Sequence, residues 1–197
     1  VLVFLLGLVG MSRVQQQFFP DSSRPEIMVD MWLPEGSSVA ASEALAKRVE
    51  QTILEQQGIR SVSVWIGTGA PRFFLPLDQI LPQPNVAQAI VLTDTPAARQ
   101  RLITTLPRLL EETYPEARIR ARLLPNGPPV PYPVQFRVMG PDPVQLRTLA
   151  DQVKAQMQTN PNARGVNDNW NESVKSVRLE VDQAKARALG VSSQAIA

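Results

Sequence analysis

"EIMVDMWLPEGSSVAASEALAKRVEQTIL" (residues 26–54) changes its period once, and the change sets the fold. Ile27, Val29, Met31 and Leu33 alternate with Met28, Asp30 and Trp32, a period of two that predicts a half-buried strand. "PEGSS" (34–38) is a turn that offers Ser37 or Ser38 as an N-cap. Ala41, Leu45, Val49 and Ile53 then recur every four residues, as in an amphipathic helix, which Gly58 stops.

The same alternation of periods continues outward. "IRSVSVWIG" (59–67) and "VAQAIVLT" (86–93) read as strands. "DTP" opens a second helix, with Asp94 as expected N-cap and Pro96 in the first turn. Leu102, Leu106, Leu109 and Leu110 are its inward side chains, and Pro107 within that pattern predicts a kink or a late helix start. "ARIRARLL" (117–124) is a strand with Ile119, Ala121 and Leu123 on one face and Arg118, Arg120 and Arg122 on the other. The arginine face could bind an anion, or it could be a solvated surface paired with acidic neighbours. Strand, helix, strand, strand, helix, strand is the split βαβ or ferredoxin-like order: two helices on one face of a four-stranded antiparallel sheet.

A second round of the order begins after "GPPVPYPVQFRVMGPD" (127–142). Val134–Met139 reads as a strand, and Asp142, Pro143 and Gln145 form a helix start with a capping box. Leu146, Leu149, Val153 and Met157 are that helix's expected buried stripe. Residues 163–170 and Val177, Leu179 and Val181 give two more strands. Asp182 caps "QAKARAL", which Gly190 closes, and a fourth strand is missing. The fold class is thus α+β: two consecutive ferredoxin-like units, the second incomplete. Residues 25–125 are the first unit, 126–132 a hinge, and 133–197 the beginning of the second.

Composition narrows the chemistry. The 197 residues carry a formal net charge of +2 with interspersed signs, so no basic block tracks nucleic-acid phosphates. There is no Cys and no His, which excludes thiolate metal sites and Ser-His-Asp or Cys-His nucleophiles within the chain. No phosphate-binding or dinucleotide fingerprint and no metal-ligand spacing occurs. The acidic residues read as caps or solvated surface, so neither an enzyme nor a cofactor is expected. "VLVFLLGLVG" (1–10) is too short to span a bilayer by itself. It lacks the basic n-region and small-x-small cleavage site of a signal peptide, and reads as a buried segment or, best, the end of a transmembrane helix over 1–13, with 14–24 as a linker.

The stretch 67–85 is long for a loop, and loops of that length are usually functional or mobile. It places Phe73, Phe74, Leu75 and Leu77 among prolines and glycines, just after Trp65. The phenylalanines either pack onto their own domain or form an aromatic-lined site for apolar ligands.

Several stretches together resemble one family. "FFPDSSRPEIMVDMWLPEGSS", "PNVAQAIVLTDT", "GPPVPYPVQFRVMGPD" and "VDQAKARALGVSSQAIA" occur in the order found in the second periplasmic loop of RND (resistance–nodulation–division) efflux permeases, in their hydrophobe/amphiphile multidrug branch. The resemblance implies an inner-membrane homotrimer and antiporter driven by proton influx, with this segment facing the periplasm. A periplasmic adaptor and an outer-membrane channel would be its partners, and membrane attachment would lie outside this chain. The two units would be porter subdomains that flank a cleft for apolar or amphiphilic small molecules. They would rock about a hinge at Gly127, Pro128, Pro129 and Pro133. Phe73, Phe74, Leu75, Trp65 and Leu77 would contact substrate, although the loop is richer in proline than in the best-known multidrug members. Other expectations are an assembly module contacting neighbouring subunits or the adaptor, a stand-alone small-ligand-binding protein, and a metal-exporting branch. The last would enlist Met28, Met31, Met139 and Met157, all at positions suited to core packing.

Overall fold

A computed structural model describes residues 7, 10–11, 22–128, 130, 132–178 and 180–196. Its first part contains strand β1 (Glu26–Trp32), helix α1 (Val39–Leu54), strands β2 (Ile59–Ile66) and β3 (Val86–Thr93), helix α2 (Pro96–Thr113) and strand β4 (Arg118–Leu123). The four strands form one sheet in the order β2-β3-β1-β4, and every neighbouring pair is antiparallel. This is the ferredoxin-like arrangement the period changes predict. β1 sits centrally, with Trp32 opposite Val86 on one side and Arg118 on the other.

Both helices pack on one face. Ile27, Val29 and Met31 of β1 meet Leu45, Val49 and Ile53 of α1 and Leu102, Leu106 and Leu110 of α2 in a single core. Ser38 caps α1 by accepting from the Ala41 N–H. Thr95 caps α2 in place of the expected Asp94, accepting from the Ala98 N–H, while Asp94 pairs with Arg60. A cap needs an extended backbone one residue before the first helical turn, and Pro96 fixes that turn's start. Pro107 does not delay the helix, which runs from Pro96 through it to Thr113. Gly58 has φ +86, and a Cβ there would lie 2.6 Å from the Ala98 Cβ, so glycine lets the turn into β2 pass under α2.

β1 departs from the half-buried expectation: Ile27 to Met31 are all buried, including Met28 and Asp30 on the face away from the helices. The loop 67–85 covers that face, as described below.

The second part holds helices α3 (Pro143–Gln158), α4 (Gln183–Ala188) and α5 (Ser193–Ile196). Asp142 caps α3 and Asp182 caps α4, as the sequence predicts. The three expected strands at 134–139, 163–170 and 177–181 are not formed among the described residues, and Leu179 lies outside them. The predicted stripe on α3 is not buried, and Leu149 is 48% exposed. The cause is the same in each case. An isolated strand or hairpin is marginal in water, and these segments find no ladder to join. Val134 and Phe136 therefore remain exposed, and α3 has no sheet to cover.

Of the N-terminal segment, residues 7, 10 and 11 have helical backbone, and the rest of 1–13 and the linker through 21 lie outside the described residues. Among the described residues no helix is long and apolar enough to cross a membrane.

Candidate functional site

The sheet's helix-free face is the floor of one cleft and borders a second at the β4 edge. Alternation sends Ser61, Ser63 and Trp65 of β2, Gln88 and Ile90 of β3, Met28, Asp30 and Trp32 of β1, and Arg118, Arg120 and Arg122 of β4 to this face. The loop 67–85 folds over part of it.

The loop is fixed at both ends. The Gly67 N–H donates to Val86 O, the Gln83 N–H to Gly67 O, and the Gly69 N–H to Ile80 O. The Ala70 N–H donates to the Gln88 side-chain oxygen at 2.7 Å. Gln88 in turn donates to Asp30 at 2.5 Å, and Arg122 donates to the other Asp30 oxygen at 2.7 Å. Asp30 and Gln88 are buried, so each end of this chain satisfies a group that water cannot reach. Beyond the anchor, Leu77 is buried against Met28 and Leu124, with Phe74 packed on the same cluster.

Arg24 meets the loop from the opposite side. Its guanidinium lies 5.7 Å from the Phe73 ring centroid and 5.5 Å from that of Phe74, within cation–π range. Glu26 holds the guanidinium at 2.6 Å, and Arg99 fixes the backbone beneath it by donating to Ser22 O and Arg24 O. The hydrogen bond from Arg24 keeps the Glu26 carboxyl below the usual carboxylate range, against the cost of partial burial.

The sequence-derived site residues thus separate. Trp65 and Phe73 line one shallow cleft of about 390 Å³ together with Ser61, Ser63, Pro71 and Ile90. Phe74 and Leu77 face the sheet, Leu77 being 3% exposed, while Leu75 is 81% exposed at the loop surface. Of the hinge residues, Gly127, Pro128 and Pro133 lie in a segment without helix, and Pro129 falls outside the described residues. Arg24, Asp30 and Gln88 carried no sequence signal for a site. Asp30 and Gln88 are 58 residues apart in the chain and meet only in the folded sheet.

A larger cleft, about 1050 Å³, runs along β4 between the sheet and α3. Trp32, Arg118, Arg120 and Tyr132 lie on the sheet side; Arg147, Lys154 and Asp168 lie opposite. None of the five loop and β2 residues lines it. Met28 and Met31 are fully buried on opposite faces of β1, and Met139 is 78% exposed. Among the described residues no group of three or more acidic side chains is placed to hold a metal ion.

The far wall of this cleft depends on pH. Lys154 bridges Asp151 at 2.8 Å and Asp168 at 2.5 Å. Burial opposes ionisation of Asp168, but hydrogen bonds from Lys154 and the Trp170 N–H outweigh it and lower the carboxyl pKa. Hydrogen bonds to Asp151 and Asp168 raise that of Lys154. A depressed carboxylate stabilises the fold above its unfolded pKa, about 3.9, and that stability is lost as pH falls through the lower folded value. The lysine's share is present below about 10.4 and is lost as pH rises through its raised folded value. Hydrogen exchange of residues 163–171 is therefore expected to quicken as pH falls below about 3.9, after correction for intrinsic rates, more than exchange of β1. Unchanged relative protection would show that the Lys154–Asp168 pair does not hold this wall.

Comparison with known proteins adds the following. The family model described as the AcrB/AcrD/AcrF family matches residues 1–197. No curated protein sequence matches. Among solved structures the chain is similar to a heavy metal efflux pump in two crystal forms. In crystal form II the identity is 17% and the TM-score 0.64, covering 99% of this chain and 21% of the pump. In crystal form I the identity is 16% and the TM-score 0.65, covering 98% of this chain and 21% of the pump. The chain thus spans about a fifth of the pump's length, and at these identities the likeness is one of fold. A cofactor-independent oxygenase from Streptomyces nogalater, SnoaB, matches 54% of this chain and 97% of its own at 14% identity, but its TM-score of 0.33 carries no argument.

Proposed function

The chain belongs to the AcrB/AcrD/AcrF family and carries the porter fold of an RND permease segment, and on that premise we propose that it forms part of the substrate path of a proton-driven efflux permease for apolar and amphiphilic compounds. The observation that supports the substrate path is the loop 67–85, which rests aromatic side chains on the helix-free sheet face above Trp65. Phe73, Leu75 and Trp65 meet ligand with the loop as it lies. Phe74 and Leu77 become available when the loop lifts from Met28 and Leu124. Residues 25–125 act as one porter subdomain and 133–197 begin the next. The two rock about Gly127, Pro128, Pro129 and Pro133, so the cleft along β4 opens and closes and its affinity for ligand changes. The complete permease works as a homotrimer in the bacterial inner membrane, this segment in the periplasm, with an adaptor and an outer-membrane channel.

Phe73→Ala/Phe74→Ala in the complete permease tests the loop. The double variant, expressed at the parent's level in an efflux-deficient bacterium, is expected to raise accumulation of an apolar dye severalfold while trimers persist. Loss of trimers would favour an assembly role for the loop, and unchanged accumulation would remove it from the substrate path.

A metal-exporting reading has one observation in its favour, the fold likeness to a heavy metal efflux pump. It predicts that the permease protects cells from a transition-metal salt and leaves dye accumulation unchanged.

A further inference from the structure

The sheet side of the cleft along β4 carries two arginines that form no ion pair with a carboxylate among the described residues. Arg118 and Arg120 lie two residues apart on one strand face, roughly 7 Å along the strand. Each guanidinium rests on an aromatic ring: Arg118 at 4.6 Å from the Trp32 centroid, Arg120 at 4.7 Å from that of Tyr132. Neither belongs to any ion pair among the described residues, in contrast to Arg122 beside them.

Most of the nearby acids are already paired with another cation; Glu35 and Glu172, at the mouth, are not. Asp30, opposite Arg120 in the register, is taken by Arg122 and Gln88. Glu116 pairs with Arg48, Glu111 with Arg164, and Asp151 and Asp168 with Lys154. At the mouth, Glu35 accepts from the Asn171 side chain and Glu172 from the Glu35 N–H. Burial first, and then the charge of Arg122, push the Arg120 pKa downward, against weaker support from Tyr132 and Asp30. A partly desolvated cation beside a second cation gains more from an incoming anion than a solvated one does. A guanidinium also presents a donor fork that fits an oxyanion, and its face can stay on an aromatic ring meanwhile.

We propose that this cleft selects amphiphiles bearing one oxyanion, with the anion held by Arg118 and Arg120 and the apolar body against Trp32 and Tyr132. The inference rests on the porter reading above and narrows its substrate class.

A matched pair of probes tests it: dansylamino-undecanoic acid and its primary amide, which share an apolar body and differ in charge. Export of each is measured in cells carrying the complete permease, its Arg118→Gln/Arg120→Gln variant and its Arg118→Lys/Arg120→Lys variant, together with export of a neutral apolar dye. The Gln variant is expected to raise the half-saturating concentration of the acid about tenfold or more. It should leave the amide and the dye at the parent's level, and the Lys variant should keep part of the preference for the acid. Equal export of acid and amide by the parent, or an equal loss of both in the Gln variant, would overturn the anion site while dye export keeps the porter reading intact. Loss of trimers in both variants would overturn it too, since the arginines would then serve an interface. A parent that exports neither probe nor dye would instead fail the porter reading, and the inference with it.

Discussion

Asp30→Ala is expected to destabilise the first subdomain by about 3–5 kcal/mol, the cost of leaving a buried partner charge unpaired. Asp30 accepts from both Gln88 and Arg122, so its removal orphans two donors at once. Arg122 has a 17% exposed side chain and can recover some hydration, which places the effect toward the lower end of that range. Gln88 is 1% exposed and has no such recourse. The loss should also reach the loop, because the Gln88 oxygen that fixes Ala70 is positioned through Asp30. Hydrogen exchange of β1, β3 and residue 70 reads both effects in the intact permease. The apolar pair Asp30→Leu/Arg122→Met should recover part of the stability, since it removes the unpaired buried charge but leaves the Gln88 amide without its acceptor. A single Asp30→Ala change without measurable loss would mean that the network does not hold the loop to the sheet.

Leu106→Ala should cost about 2–5 kcal/mol, the range for emptying a fully buried leucine site. Leu106 is 0% exposed and lies in the core with Val49, Ile53, Leu102 and Leu110. Its neighbour Pro107 deprives the helix of one backbone donor, so this turn of α2 depends more than most on side-chain packing. The matched change Leu149→Ala on α3 should stay within about 0.5 kcal/mol, because that side chain is 48% exposed. Urea or thermal unfolding of the two variants gives the comparison. Similar losses at both positions would mean that α3 is packed as firmly as α2.

The four-stranded part was legible in the sequence because its signals are local. β1, β2 and β4 show a period of two, β3 is a short apolar run, each helix has a period near four, and Ser38 and Thr95 stand one residue before the helices they cap. Asp94, the expected cap, gives way to Thr95 for a local reason: both residue types can cap, and only the backbone decides. The second face of β1 could not be read. Met28 and Asp30 look like outward residues of a half-buried strand until the loop brings Leu77, Phe74 and Gln88's anchor over them. The same holds for Arg24, which reads as linker and becomes the ring partner of Phe73 and Phe74.

The second part failed for the opposite reason. Val134, Phe136 and Val177 have strand-like alternation, yet alternation only says which face a strand would bury once a neighbour pairs with it. Asp142 and Asp182 cap their helices as expected, since a cap needs nothing beyond its own turn. Of the arginine face, one member found an acid and two did not: Asp30 lies opposite Arg120 in the register, yet its carboxylate pairs with the diagonal neighbour Arg122.

We propose that this chain lines the path of an efflux permease for apolar and amphiphilic compounds. The most direct measurement is accumulation of Nile red in an efflux-deficient bacterium carrying the complete gene, with and without a protonophore, beside growth in copper and zinc salts. The account predicts lowered dye accumulation that the protonophore abolishes, and no change in metal tolerance. Metal tolerance gained without any change in dye accumulation would contradict it.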